Sequence, residues 1–338
     1  MEFFGFKYFN SLSGGPIVIV AVLIFVVGLI LTIKGGDWFV ASASWFAEAT
    51  GIPKFVVGAT VVSFATTLPE LLVSVRAATN GSAQLAIGNA VGSVTANTTL
   101  IMGVSLVTMA GVVGRKSFAL KGGLFLAAII GLTLLSLGKS LPVWSAYILW
   151  TIFVVFMISN LIEGKKGTET DEIDSYEKKE IPSKIFLFII GTASIIFGAE
   201  FLVSSGKTIA SSFGISEAII GFTVIALGTS LPELVTTLTA IRKKESSLSV
   251  GNIIGANIID TTLILPLCTV INGKPLPVEN INLILDFPIC IAGCAVAVLP
   301  TIIQGRFRKW QGFTLLGIYI MYMILLVANE TGMIGFGV

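Results

Sequence analysis

Ten long apolar segments, separated by short polar connections, run through this sequence. A helix needs about 20 apolar residues to cross the hydrocarbon core of a bilayer, and the ten segments are close to that length or longer. They cover residues 17–47, 54–78, 85–110, 120–137, 142–162, 185–211, 215–240, 248–271, 281–302 and 312–328. The pattern predicts an all-α integral membrane protein with ten transmembrane helices.

The composition supports this fold class and excludes several functions. Of 338 residues, 54% are hydrophobic and 12% charged, and the mean hydropathy of +0.95 lies far above that of a soluble domain. The chain has no histidine, which removes imidazole metal ligands and histidine-activated nucleophiles. Its three cysteines form no CxxC pair, so we expect packing residues rather than a metal site or a disulfide. We therefore expect no enzymatic activity, no cofactor and no nucleic-acid partner.

The basic residues indicate an orientation in the membrane. If the N-terminus lies outside, the inward-facing connections hold 15 of the 21 lysines and arginines. The positive-inside rule then places both termini outside, at the cell membrane. The stretch from Glu163 to Glu180 mixes charges of both signs and lacks an apolar run. We expect residues 163–184 to form a cytoplasmic linker.

The sequence contains an internal duplication. The segment FATTLPELLVSV at residues 64–75 has a counterpart, ALGTSLPELVTTL, at residues 226–238, and an offset of 163 aligns residues 35–103 with 198–266 at 23 identities in 69 positions. The predicted units are residues 1–162 and 185–338, with five spans each. Because five is odd, equivalent spans cross in opposite directions, which predicts two inverted five-helix repeats. Inverted repeats are typical of secondary transporters, whose site lies near the bilayer midplane.

The duplicated LPE motif combines a helix breaker with oxygen ligands. Pro69 has no N–H and clashes with the carbonyl of residue 65, so it predicts a broken or kinked helix. Thr66 and Thr67 lie four and three residues before Glu70, which places hydroxyls and carboxylate on one helical face. The second copy repeats this arrangement with Thr229, Ser230, Pro232 and Glu233. Hydroxyls, loosened carbonyls and two carboxylates form the hard-oxygen shell that calcium prefers.

A single glutamate here could equally be a snorkelling side chain near the membrane interface. Two at matching positions are harder to explain by packing, since a carboxylate at the centre of a span costs about 2.5–3.5 kcal/mol. The pair therefore favours a cation site.

A second duplicated motif adds further polar groups. GNAVGSVTAN and GNIIGANIID both have GxxxG spacing, which predicts close helix packing. Ser93 and Asn97 lie on one face, and their counterparts are Ala256 and Asp260. Asn97 could ligate an ion or hydrogen-bond a neighbouring helix, whereas a buried Asp260 needs a cation or a proton.

At these motifs the sequence resembles the alpha-repeats of the calcium/cation antiporter superfamily, in its prokaryotic sodium/calcium exchanger branch. The resemblance covers nearly the whole chain and implies antiport of Ca²⁺ and Na⁺ by alternating access. It implies that both ions share Glu70 and Glu233, with Thr66 and Thr229 at the calcium position. It further implies an inner sodium position with Thr67, Ser93 and the Ser63 carbonyl, an outer one with Ser230 and the Ala226 carbonyl, and Asn97 and Asp260 beside the middle position.

One departure from the family leaves the counter-ion open. The family usually has serine where this chain has Ala256, so one hydroxyl of the outer sodium position is missing. A proton/calcium antiporter that protonates the same glutamates is therefore the alternative. A cation channel is less favoured, because a single-chain inverted repeat is not the usual pore symmetry. An intramembrane enzyme is weakest, since its acid pair would be Asp260 with Asp286, which share no motif.

The sequence leaves other properties open. Potassium involvement, stoichiometry, physiological direction and oligomeric state are not indicated, and no oligomer is required. Asp37 and Glu200 are repeat partners without a hydroxyl and proline cluster, which favours an interface role. Asp286 has no repeat partner and stays unassigned.

Overall fold

The fold is almost entirely helical. The computed structural model describes residues 15–80, 83–109, 115–168, 180–212 and 228–335. The first half contains α1 (Gly15–Thr50), α2 (Lys54–Thr66), α3 (Leu68–Thr79), α4 (Ala83–Thr95, continued through a π-helical turn at Ala96–Ile101 to Met102–Thr108), α5 (Arg115–Ser136) and α6 (Ser145–Thr168). The second half contains α7 (Ile181–Ser212), α8 (Leu231–Arg242), α9 (Ser246–Ile259, continued through a π-helical turn at Asp260–Ile264 to Leu265–Asn272), α10 (a π-helical turn at Asn282–Asp286 continued by Phe287–Gln304) and α11 (Lys309–Glu330).

Membrane-spanning helices dominate the described part of the chain. Eight of its helices are long and apolar enough to cross a bilayer, and there are nine if α2 and α3, joined by a 47° bend, form one span. Part of the predicted seventh span, residues 215–240, lies outside the described residues, as does half of the predicted linker. The number of ten spans therefore stays a prediction.

The first helices of the two halves pack tightly on each other. A Cβ atom at Gly28 would lie 2.9 Å from the carbonyl oxygen of Gly198, and one at Gly35 would lie 2.9 Å from that of Gly191. The order of the contacts reverses along the chain, so α1 and α7 are antiparallel. Gly28 and Gly35 are the repeat equivalents of Gly191 and Gly198. The contact therefore joins equivalent surfaces, as at an interface with two-fold symmetry.

The helices α4 and α9 are the most buried spans of the structure. Gly251 and Gly255 let α9 approach the backbone of α2, since a Cβ atom at Gly255 would lie 2.6 Å from the carbonyl oxygen of Ala59. The predicted close packing of the GxxxG motif is thus confirmed in the second half. This approach brings α9 against the segment that carries Ser63, Thr66 and Thr67.

A short strand pair joins the ends of two helices from different halves. Strand β1 (Ser140–Leu141) follows α5, and strand β2 (Leu276–Pro277) follows α9. The two strands pair antiparallel, with Ser140 opposite Pro277. The end of the fourth span of the first half therefore lies beside the end of the third span of the second half.

Candidate functional site

The first LPE motif lies at the bend between α2 and α3. Thr67 leaves the helical conformation with φ −85° and ψ 1°, and Pro69 occupies the first turn of α3. Backbone hydrogen bonding continues on both sides, from the Thr67 N–H to the Ser63 carbonyl at 2.9 Å and from the Leu71 N–H to the Thr67 carbonyl at 3.0 Å. Pro69 has no N–H for the Ala65 carbonyl. The predicted break is therefore confirmed, and it places Glu70 in the first turn of a new helix.

The second LPE motif has the same local geometry. Ser230 has φ −86° and ψ 7°, Pro232 occupies the first turn of α8, and the Leu234 N–H donates to the Ser230 carbonyl at 3.0 Å. The bounds of α3 and α8 differ by the repeat offset at both ends. Ala226, whose carbonyl is a predicted sodium ligand, lies outside the described residues.

Three carboxylates are buried without partners. Glu70, Glu233 and Asp260 are all 0% exposed, and none of their side-chain oxygens has a hydrogen-bond partner within the described residues. Glu70 lies close enough to Glu233 and Asp260 for their charges to interact. None of the ion pairs found in the described part of the chain includes these residues. Such a site needs a cation or protons to offset its charge.

The carboxylates alone do not form a metal cage. No three acidic or cysteine side chains in the described ranges are arranged to hold one metal ion. An ion bound here would therefore need neutral oxygens from hydroxyl, amide or carbonyl groups, which suit hard cations.

Two buried hydroxyl contacts join the halves next to the carboxylates. The Thr66 hydroxyl donates to Asn252 Oδ1 at 3.2 Å, and the Ser93 and Thr229 hydroxyl oxygens are 3.4 Å apart. The Thr67 hydroxyl instead donates to the Ser63 carbonyl, at a short distance. A hydroxyl that donates its proton to a protein acceptor keeps lone pairs for a cation.

The other predicted ligands that the structure describes, Ser63, Asn97 and Ser230, are also buried. Both side-chain atoms of Asn97 and the Ser230 hydroxyl have no hydrogen-bond partner within the described residues. Asn97 and its counterpart Asp260 lie in the π-helical turns of α4 and α9. Such turns occur often at functional sites. The Ser63 carbonyl already accepts hydrogen bonds from Thr67, so a sodium ion there would compete with protein donors.

Sequence reasoning missed three asparagines in this region. Asn252 accepts a hydrogen bond from the Thr66 hydroxyl. Asn89 donates hydrogen bonds to the Glu70 carbonyl at 3.4 Å and to the Ser74 hydroxyl at 3.0 Å. Asn257 donates through Nδ2 to the Thr98 hydroxyl at 2.9 Å. The repeated GN dipeptide is a usable signal for Asn89 and Asn252. For Asn257 the only signal was its difference from Val94 in the first half.

The acidic residues set apart from the site have protein partners. Asp37 forms an ion pair with Arg242 of the second half, which is a contact between the repeats. Asp286 accepts hydrogen bonds from Asn282 at 2.7 Å and from the Tyr322 hydroxyl at 3.0 Å. The three cysteines are buried and free.

The family model for sodium/calcium exchanger proteins matches residues 20–162 and 183–328. The chain belongs to the sodium/calcium exchanger family. It is therefore a multi-pass membrane protein and a cation exchanger.

Named relatives of this exchanger cover nearly its whole length. It is 33% identical to an uncharacterized membrane protein of Methanocaldococcus jannaschii, over 88% of this chain and 95% of that protein. It is 29% identical to the sodium/calcium exchanger MaX1 of Methanosarcina acetivorans, over 90% of this chain and 97% of the relative. A solved structure of the sodium-calcium exchanger NCX_Mj, soaked with Na⁺ and Sr²⁺, superposes with a TM-score of 0.80 at 29% identity, covering 91% of this chain and 99% of the other.

Proposed function

We propose that this exchanger moves Ca²⁺ in one direction and Na⁺ in the other through one alternating-access site. The observation that carries the proposal is the set of three fully buried carboxylates, Glu70, Glu233 and Asp260, whose oxygens have no hydrogen-bond partner within the described residues. Two of them, Glu70 and Glu233, lie in the first turns of the equivalent helices α3 and α8. The two glutamates can offset the charge of a divalent cation, and hydroxyl oxygens lie next to them in the chain. This combination favours calcium.

The proposed architecture is ten spans in two inverted five-helix repeats, residues 1–162 and 185–338. The antiparallel contact between α1 and α7 supports it, because these helices begin the two halves. The strand pair supports it too, since the fourth span of one half and the third span of the other end on the same side only if the halves are inverted. The bend at Thr67 lies about 20 Å along the axis from either end of the α2 and α3 pair, as a midplane site requires.

The proposed orientation places both termini outside and the linker 163–184 in the cytoplasm. The positive-inside rule supports it. Ion pairs at one end of the bundle agree, since Lys54 bonds Glu245 at 2.8 Å and Lys121 bonds Glu163 at 2.6 Å. All four residues belong to ends that this orientation places inside.

The proposed calcium position has Glu70 and Glu233 with the hydroxyls of Thr66 and Thr229. The burial of all four side chains supports this set. Sodium would use the same glutamates. Its further ligands would be Thr67, Ser93 and the Ser63 carbonyl on one side, Ser230 and the Ala226 carbonyl on the other, and Asn97 and Asp260 next to the middle position.

Competition for the shared glutamates explains coupled exchange. Calcium and sodium cannot occupy Glu70 and Glu233 together, so each ion displaces the other. Closing the site over unneutralised carboxylates costs several kcal/mol per charge, so the empty site resists the switch between inward-open and outward-open states. Only loaded states cross, which gives antiport rather than leak.

A proton/calcium antiporter is the second candidate. The observation that favours it is the methyl group of Ala256, which is fully buried where the family usually has a serine. One neutral ligand fewer weakens a sodium position more than a calcium position held by carboxylates. Protonation of the same carboxylates would then drive calcium movement.

Radiolabelled calcium uptake into proteoliposomes separates these candidates. The purified chain is reconstituted in three sets of vesicles with an outward sodium gradient, an outward proton gradient or no gradient. Uptake driven by sodium alone is the expected result. Uptake driven only by the proton gradient would show that the counter-ion is H⁺ and not Na⁺. Equal uptake without any gradient would mean a channel.

A further inference from the structure

The two halves differ at a pair of neighbouring positions in their second motif. The first half has Ser93 followed by Val94, and the second half has Ala256 followed by Asn257. Each half therefore carries one oxygen-bearing side chain at this pair, shifted by one residue between the halves. All four residues are buried, so a polar side chain at either position needs a partner.

Among the described residues, only the nitrogen of the Asn257 side-chain amide has a hydrogen-bond partner. Its Nδ2 donates to the Thr98 hydroxyl at 2.9 Å, in the π-helical turn of α4 that also carries Asn97. Its Oδ1 is buried and has no hydrogen-bond partner within the described residues. A buried acceptor without a donor costs about 1–3 kcal/mol. In the part of the chain that the structure describes, this is a fixed, uncharged oxygen without a protein partner.

Asn257 Oδ1 belongs to the same helix surface as Asp260, a buried carboxylate that needs a cation or a proton to offset its charge. Asn257 precedes Asp260 by three residues in α9, so the two side chains are neighbours on the helix surface. Both oxygens of Asp260 also have no hydrogen-bond partner in the described part of the chain. An amide oxygen beside a carboxylate suits a monovalent hard cation, which needs several neutral ligands and little charge.

We infer that Asn257 Oδ1 is a sodium ligand that replaces the hydroxyl missing at Ala256. This inference rests on the proposed sodium/calcium exchange and identifies one more residue of its sodium-selective part. Thr98 is a positioning residue, since it holds Nδ2 and leaves Oδ1 free. The missing serine then gives no argument against sodium coupling, because the second half supplies the same kind of ligand one position later.

The test exchanges the ligand pattern of one half for that of the other. Asn257→Val creates in the second half the residue that the first half has at Val94, and it removes the oxygen. The double variant Ala256→Ser/Asn257→Val makes the second half match Ser93 and Val94. Sodium-driven calcium uptake into proteoliposomes is measured against internal sodium concentration, and calcium/calcium exchange without sodium is measured in the same preparations.

The expected result separates the two ions. In Asn257→Val the sodium concentration for half-maximal uptake rises about tenfold, as expected for the loss of one ligand, while calcium/calcium exchange stays within about twofold. The double variant returns the sodium dependence to within about threefold of the parent protein, because a hydroxyl is restored.

Three results would overturn the inference. Unchanged sodium dependence in Asn257→Val shows that the amide oxygen binds no sodium. Equal loss of both exchange modes, not rescued in the double variant, shows a packing role at Thr98. A parent protein that exchanges calcium with calcium but shows no sodium-driven uptake refutes the proposed counter-ion, and this inference fails with it.

Discussion

The contact between α1 and α7, here called the seam, follows the repeat symmetry more closely than the candidate ion site does. At the seam, Gly28 meets Gly198 and Gly35 meets Gly191, so equivalent glycines make equivalent contacts. At the site, equivalent threonines have different partners. Thr66 donates to Asn252, whereas Thr229 lies against Ser93. The backbone framework is nearly symmetric, and the side-chain contacts at the candidate site are not.

The cause of this difference is visible in the sequence. The equivalent of the Ser93 contact in the other half would need a hydroxyl at position 256, where the chain has alanine. Thr66 therefore bonds an asparagine one turn earlier on α9. In the proposed mechanism, a symmetric framework would let the protein open to either side with similar contacts, while asymmetric ligands would let the two sides of the site hold ions differently. The following experiments test where symmetry ends.

The largest effect is expected at the carboxylates, where both halves contribute alike. Glu70→Gln and Glu233→Gln each keep the size and remove the charge of a fully buried group. Because calcium and sodium share both residues in the proposed mechanism, each variant should lower exchange by at least about 100-fold, the cost of roughly 3 kcal/mol for one buried charge interaction. Uptake assays in proteoliposomes measure this.

Glu279→Gln is the matched control for these variants, because Glu279 lies in the connection before α10, away from the bends. It should keep exchange near the parent level. Normal exchange in either Glu70→Gln or Glu233→Gln would refute the shared site.

A second, smaller effect tests the symmetric seam. A Cβ atom at Gly28 would lie 2.9 Å from the carbonyl oxygen of Gly198, and one at its repeat equivalent Gly191 would lie 2.9 Å from that of Gly35. Overpacking of this kind costs about 1–3 kcal/mol, and the two-fold symmetry predicts similar losses for Gly28→Ala and Gly191→Ala. Thermal unfolding in detergent measures the loss.

Gly131→Ala is the control at the seam, since a Cβ atom there meets nothing within 4 Å among the described residues. It should be neutral or slightly stabilising, because alanine favours the helix. A large difference between the two seam variants would show that the contact is not symmetric.

The contrast between framework and site also explains what the sequence could predict. The break before Glu70 follows from proline chemistry and is local, so sequence alone predicts it. The GxxxG spacing predicts that α9 packs closely, but not that its partner is α2. The contact between Thr66 and Asn252 joins residues 186 positions apart, and only the packed helices show it.

The number of spans shows the opposite limitation. Hydropathy predicts ten apolar segments but treats α2 and α3 as one run, and the structure divides this run by a 47° bend at the site. The hydropathy pattern gives the length and polarity of a segment, but it does not give the residue at which the helix bends. That point is predicted by the chemistry of Pro69 and not by the hydropathy pattern.

A moderate effect is expected at the asymmetric contact. Asn252→Ala removes the acceptor of the buried Thr66 hydroxyl, which then turns its proton toward other acceptors and loses its fixed orientation. Loss of such a hydrogen bond costs about 1 kcal/mol, so the calcium concentration for half-maximal uptake should rise about fivefold. Calcium-dependent uptake at fixed sodium measures it.

Asn89→Ala is the repeat-matched control, since Asn89 is only partly buried and bonds the Glu70 carbonyl and Ser74 rather than a predicted ligand hydroxyl. Its effect on calcium dependence should be smaller. Equal effects in the two variants would show that the halves hold their threonines in the same way after all.

The smallest effect is expected at the helix ends that carry Lys54 and Glu245, where the halves meet through charges instead of glycines. Lys54 bonds Glu48 at 2.7 Å and Glu245 at 2.8 Å, and its side chain is 30% exposed. Solvent-exposed ion pairs contribute about 0–1 kcal/mol and are screened by salt. Lys54→Gln should therefore lower the unfolding temperature only slightly, and less at high salt than at low salt. The seam variants at Gly28 and Gly191 should lose the same stability at any salt concentration, because their cost is steric. A salt titration of thermal unfolding with all three variants compares the two kinds of contact directly, and a salt-independent loss in Lys54→Gln would mean that this ion pair is shielded from solvent in the working protein.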